Sequence, residues 1–218
     1  MNLTLIYCYD AYCGWCYGFS NVIQQTHEKY KNQLFFEVLS GGMVLPESPV
    51  SIANTASYIK SASKRVEELS GVKFGDDYLW HINNPEKSDW FPNSEKPAIA
   101  LCIFKEKFPE QQIDFAIDLQ NALQNEGRDL TDNEAYKHLL EKYKINEKMF
   151  YEKLKSEEYK NKAHHEFFLC KQLKVTGFPM VFIQANETKF YLVAKGYTAF
   201  ENVDERIQNI LKEINQIN

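Results

Sequence analysis

Cys13 and Cys16 stand two residues apart, with Gly14 and Trp15 between them, directly after the apolar run Leu3-Thr4-Leu5-Ile6-Tyr7-Cys8-Tyr9. Such a run reads as a buried strand, and the residues that follow carry helical periodicity. The first thiol therefore sits where a strand hands over to a helix. A helix N-terminus carries about half a positive charge and several unpaired N–H groups. A thiolate there is favoured over the thiol, and the thiolate is the nucleophile. Cys13 is expected to attack and Cys16 to close the ring behind it. Two intervening residues let the sulfurs meet, because a disulfide joins Cα atoms about 5–6 Å apart. The competing use of the pair, a zinc half-site, needs two more ligands. No second Cys-x-x-Cys is present, and His164 and His165 are helix neighbours that point apart. No metal is expected.

The elements that hold these residues are legible from pattern. Residues 3–9 and 34–39 read as strands around a helix over 14–31, with Phe19, Val22, Ile23, Thr26 and Tyr30 at helical spacing. Gly41-Gly42 stops the second strand. From Pro46 to His165 the periodicity is helical. Helices are predicted over 51–69, 96–108, 109–126, 146–154 and 157–173, and Thr131-Asp132-Asn133-Glu134 resembles a capping box before another. Trp80 to Phe91 reads as loop. Strands return at 180–183 and 189–194 as an antiparallel hairpin, and a last amphipathic helix runs 202–214. The strand-bearing pieces are 1–46 and 166–218. The intervening 47–165 is too long for a loop and must pack as a helical layer. The fold class is α/β: a thioredoxin-like fold, βαβ…ββα, with a large all-helical insertion.

Composition limits the partners. The chain has 218 residues, 44% hydrophobic and 14% aromatic, with net charge −5. A sizeable core is available, and no basic face points to nucleic acid. No apolar run approaches the roughly 20 residues that span a bilayer. The first residues carry neither a charged leader nor an apolar stretch of signal length, so a cytoplasmic setting is expected. A reducing compartment would leave Cys8, Cys102 and Cys170 as free thiols, each in an apolar run and read as core. His27, His81 and His138 read as surface or satisfied histidines, and the Lys/Glu-rich stretches over 141–162 as solvated helix faces.

Two motifs resemble a known family. Asp10-Ala11-Tyr12-Cys13-Gly14-Trp15-Cys16-Tyr17-Gly18-Phe19 resembles the active-site signature of DsbA-like oxidoreductases of the FrnE type. Val175-Thr176-Gly177-Phe178-Pro179 resembles the loop that carries a cis-proline in that superfamily. Together with the element order, the resemblance covers the whole chain. It implies that Pro179 is cis and that the Phe178 backbone is free to bind an extended substrate beside the sulfurs. Gly14-Trp15 matches neither the Gly-Pro of thioredoxins nor the Pro-His of the periplasmic oxidant, so the direction of electron flow is not inherited. A sister branch, the kappa-class glutathione transferases and 2-hydroxychromene-2-carboxylate isomerases, has Ser where this chain has Cys13.

The expected function is a thiol–disulfide oxidoreductase that reduces or isomerises disulfides, with no cofactor beyond the redox-active Cys13–Cys16 pair. Its partners would be a disulfide-containing protein or small thiol, glutathione as a candidate co-substrate, and an unidentified reductant. The alternatives are a glutathione-dependent transferase or isomerase, and a non-catalytic peptide-binding module. Asp10 has two readings, a proton relay for the resolving thiol or a turn and cap residue. Trp15 is expected to be exposed as a flat apolar rim for substrate, with core packing as the other reading. Tyr12 and Tyr17 flank the site. Met43, Trp80, Trp90 and Phe91 are expected to line a cleft.

Overall fold

A computed structural model describes residues 3–217. β1 (Thr4–Tyr9) and β2 (Phe35–Ser40) pair in parallel across the crossover helix α1 (Gly14–Tyr30). β3 (Met180–Gln184) runs antiparallel to β1, and β4 (Phe190–Lys195) runs antiparallel to β3. The sheet order is β2–β1–β3–β4. β1 is central and covered on both faces, so its sequence is apolar without alternation. Leu5, Tyr7 and Tyr9 join the core on the α1 side, where Tyr7 meets Phe19 at 6.0 Å. Ile6 and Cys8 face the other way, with Leu39, Met180, Phe182 and Cys170.

Seven helices connect β2 to β3 among the described residues: α2 (Ala56–Ser70), α3 (Asp76–Asn83), α4 (Glu95–Lys107), α5 (Gln112–Gln124), α6 (Lys137–Lys142), α7 (Glu147–Leu154) and α8 (Glu157–Gln172). α9 (Phe200–Ile217) follows β4 and packs beside α1, where Asp204 meets Lys29 at 2.6 Å and Tyr30 Oη at 2.6 Å. The sheet lies between α1 and α9 on one face and α8 on the other. The position expected to divide 47–165 from 166–218 falls inside α8, which is unbroken. One apolar cluster also runs from Leu5 and Tyr7 of the sheet to Phe115 and Phe150 of the helical layer.

Three local expectations are corrected. The stretch from Trp80 is not all loop. α3 covers Asp76–Asn83, with Asp76 and Asp77 in its first turn, where acidic side chains suit the positive end of the helix. A turn of 3₁₀ helix, Pro85–Lys87, follows it. The capping box at Thr131 does not form. The Asp129 carboxylate accepts from Thr131 N at 2.9 Å instead, and Glu134–Tyr136 is a 3₁₀ turn leading into α6. The helix expected from Ser51 starts at Ala56, after a 3₁₀ turn that Ser51 caps by accepting from Ala53 N.

A buried ion cluster ties β2 to the helical layer. Lys105 Nζ of α4 lies 2.6 Å from Glu166 of α8, 2.5 Å from Glu37 and 2.7 Å from the Val38 carbonyl. Glu166 also accepts from Ser40 N at 2.9 Å. Burial alone would lower the Lys105 pKa. The Glu166 and Glu37 carboxylates overcome it and hold the ammonium above the ordinary lysine value.

Candidate active site

The end of β1 turns sharply into α1. Cys13 N donates to the Asp10 carbonyl at 3.1 Å and closes the turn. Cys13 is the N-cap of α1, extended at φ −82° and ψ 109°, and its carbonyl accepts from Cys16 N at 3.0 Å and Tyr17 N at 3.1 Å. The first sulfur thus stands at the helix tip and the second one turn along it. Cys13 is buried at 5% exposure and Cys16 is fully buried. The two thiols sit one helical turn apart at the start of α1. Burial, then the Cys13 sulfur itself, push the Cys16 thiol well above its ordinary value.

The loop before β3 arrives beside the thiols. The Phe178–Pro179 peptide is cis, and the Cys13 Sγ–H donates to the Phe178 carbonyl at 3.5 Å. The Phe178 ring packs on Gly41, at the end of β2. A Cβ on Gly41 would lie 1.9 Å from Phe178 Cζ, so only glycine permits this approach. Three chain segments distant in sequence meet here: 10–16, 41–44 and 178–179.

Asp10 holds two of them together. It is buried at 2% exposure. Its carboxylate accepts from Tyr12 N at 3.0 Å, Met43 N at 2.7 Å and Ser94 Oγ at 2.9 Å. Ser94, the N-cap of α4, in turn accepts at Oγ from Val44 N and donates its own N–H to the Val44 carbonyl. Burial raises the Asp10 pKa, and the N–H and O–H groups pointing at it pull it only part of the way back. Among the described residues the carboxylate's hydrogen bonds tie the motif turn to the segment after β2 and to α4, and none goes to Cys16. The Asp10 charge still opposes a Cys16 thiolate, while the Asp10 main-chain N–H favours one.

Beside Cys13 opens a cavity of ≈ 510 Å³, bounded by Cys13 and Trp15 of α1, Met43 and Val44 after β2, and Ile59 and Val66 of α2. Trp15 is half-buried in its wall rather than exposed. Met43 and Trp90 line it as expected. Trp80 and Phe91 do not and stay exposed. Trp90 is held by His81, stacked on it at 4.0 Å, and His81 Nδ1 lies 2.8 Å from Ser88 Oγ. Tyr17 points away, donating to the Lys73 carbonyl at 2.8 Å. Tyr12 lines the cavity and is half-buried, its hydroxyl buried without a hydrogen-bond partner among the described residues.

Two supports escaped the sequence reading. Tyr7 projects from β1 beneath the thiols, fully buried, with its hydroxyl reaching no partner at full hydrogen-bond geometry. Burial and then the Cys16 sulfur raise its pKa well above the ordinary tyrosine value. Gln124 of α5 donates from Nε2 to the Ala11 carbonyl at 3.0 Å and braces the motif turn. Gln112 and Gln120 on the same helix bind Val38 N and Ser20 Oγ. The readable signal was three glutamines, Gln112, Gln120 and Gln124, at spacings that put them among the buried apolar residues of the helix.

Comparison with known proteins agrees with this architecture. No curated protein matches the chain by sequence. A Nitrosomonas europaea protein, provisionally described as a protein disulfide isomerase, superposes with TM-score 0.85 at 22% identity over 98% of this chain and 99% of that one. The cytosolic disulfide reductase DsbM from Pseudomonas aeruginosa gives 0.75 at 22% identity, over 96% and 98%. A 2-hydroxychromene-2-carboxylate isomerase gives 0.64 at 11% identity, over 99% of each chain. At these identities the likeness is one of fold. The elements that build the site, from β1 through Pro179 to β4, all lie within 4–208, the span matched by the DSBA-like thioredoxin domain model, and the chain belongs to that family.

Proposed function

We propose that the chain is a thiol–disulfide oxidoreductase that reduces or isomerises disulfides through Cys13 and Cys16. One observation carries the reading: Cys13 caps α1 at the mouth of a cavity, with a second thiol one helical turn along and the Phe178 carbonyl 3.5 Å away. The Cys13 thiolate attacks one sulfur of the substrate disulfide and expels the other as a thiolate. The Cys16 thiolate then attacks the Cys13 sulfur and releases the remaining substrate thiolate. Two electrons pass from the dithiol to the substrate, and the Cys13–Cys16 disulfide forms. A thiol reductant restores the pair. Phe178 and Pro179 form the main-chain ledge for the substrate, and Trp15 walls the cavity beside it. We place the protein in a reducing compartment, where the dithiol is the resting form.

Reduction of insulin or glutathione disulfide by the purified protein tests the reading. Turnover no greater than that of a Cys13→Ser control would overturn it. A second reading, a glutathione-dependent transferase or isomerase, draws on the isomerase of the same fold and on the Pseudomonas reductase, also solved with GSH at 23% identity. Cys16→Ser separates the two. It abolishes dithiol turnover and leaves a covalent Cys13–substrate adduct, but it spares a reaction that uses glutathione alone.

A further inference from the structure

Apart from the Cys13 sulfur, the cavity beside it is lined by no ionised side chain among the described residues. In a chain that is 25% charged, no Asp, Glu, Lys, Arg or His lines it among the described residues. Three of its hydroxyls are engaged with local backbone, while Tyr12, Tyr58 and Tyr78 also line it, the Tyr12 hydroxyl buried without a hydrogen-bond partner among the described residues. Ser63 Oγ donates to the Ile59 carbonyl at 2.8 Å, and Thr55 Oγ1 to the Ile52 carbonyl at 3.3 Å. Ser51 Oγ accepts from Ala53 N at 3.2 Å. The rest of the lining is mostly carbon and sulfur, and the apolar surface continues outward through the exposed Met43, Leu45 and Val50 and the ring of Tyr58. Solvent-exposed apolar surface gathered at one concave site marks a binding surface. A volume of ≈ 510 Å³ falls in the range of small-molecule sites.

Resting on the oxidoreductase reading, we propose that this cavity receives the sulfur substituent of a low-molecular-weight disulfide, and that the substituent is uncharged and apolar, of aryl or branched alkyl type. A charged substituent entering it would leave water without finding a counter-ion. Glutathione carries two carboxylates and an ammonium, so its charged ends are excluded from this space. In the step concerned, the Cys13 thiolate attacks the sulfur bearing the apolar group. The S–S bond breaks, the other sulfur leaves as a thiolate, and the apolar group stays on Cys13 inside the cavity. Cys16 then displaces it as a thiolate, and the two electrons come from the dithiol.

A matched series tests this. Mixed disulfides of 2-thiopyridine with benzyl, 2-carboxyethyl and 2-ammonioethyl thiols are offered to pre-reduced, desalted protein in single turnover. Release of 2-thiopyridone is followed by absorbance. Each rate is divided by that of the same compound with free dithiothreitol, which removes intrinsic reactivity. The normalised rate for benzyl should exceed both charged members by at least about tenfold, or about 1.4 kcal/mol. Val50→Arg places a cation on the exposed wall. It should raise the carboxyethyl rate at least about threefold relative to ammonioethyl. Equal normalised rates across the series, or a charged member in front, overturn the proposal while leaving the oxidoreductase reading intact. So does a Val50→Arg variant whose carboxyethyl-to-ammonioethyl ratio is unchanged. If no compound reacts faster than with Cys13→Ser, the oxidoreductase reading itself fails.

Discussion

Release of substrate from Cys13 is expected to quicken about tenfold per pH unit between about pH 6 and pH 9. Cys16 must be a thiolate to displace the substrate, and burial is the largest force holding it well above its ordinary value of 9.0. In the free protein the Cys13 charge adds to that effect. Once Cys13 is bonded to substrate the charge is gone, but the burial remains. A thiol with the ordinary value would be about 1% ionised at pH 7, so Cys16 lies below that fraction and gains tenfold with each unit. The assay traps the Cys13–benzyl mixed disulfide by acid quench at each pH and counts it by intact mass. Asp10→Asn supplies the second arm. It removes the negative charge that opposes the Cys16 thiolate and keeps the Asp10 main-chain N–H that favours it. With the carboxylate committed to Tyr12, Met43 and Ser94, the variant should release substrate about two- to tenfold faster at pH 7. A wild-type plateau below about pH 8 would refute the burial argument. A slower Asp10→Asn variant would refute the electrostatic one.

Lys105→Met strands Glu166 in the core and should cost about 3–5 kcal/mol in urea unfolding, with Glu166→Gln in the same chain recovering part of it. A loss below about 1 kcal/mol would contradict the buried cluster. Because the folded-state pKa of Lys105 is raised, its stabilisation is complete below the ordinary lysine value and is lost only as pH climbs through the folded one, so wild type and variant should converge only in strong alkali. Gly41→Ala drives a Cβ into the Phe178 ring and should slow the first attack by Cys13. Phe178→Leu on that background should restore much of the rate, and additive losses would show that the two do not communicate. Oxidation of the Cys13–Cys16 pair against a glutathione redox series should change the fluorescence of half-buried Trp15. The signal should vanish in Trp15→Phe, and a persistent change would assign it to another tryptophan.

The thiol pair, the α/β class and the strand–helix order were legible because each depends on neighbours in the chain. Cys13 lies at the helix tip since a strand-length apolar run ends four residues before it, and helical spacing begins just after. β1 was readable as a buried strand from Leu3–Tyr9 alone, and its place inside the sheet came only with the fold. Boundaries suffered where local signals competed. Asn84-Pro85 and Phe91-Pro92 masked the eight-residue α3, and Asp129 took the turn that Thr131 was expected to cap. The part of the site contributed from a distance was not readable. Gln124 reaches the motif turn from 113 residues away, and Ser94 reaches Asp10 from 84.

Local chemistry is written in short stretches, so this sequence announces its thiol pair and the order of its elements before it folds. The lining of the cavity is not written that way. Met43 is brought to Cys13 by an Asp10 carboxylate, Trp90 is pinned by His81, and α2 contributes Ile59 and Val66 from the opposite side. A space bounded by segments so far apart in sequence exists only when long-range packing has closed it. Its apolar, chargeless character is therefore a property of the folded molecule, and that character selects what can approach the sulfur.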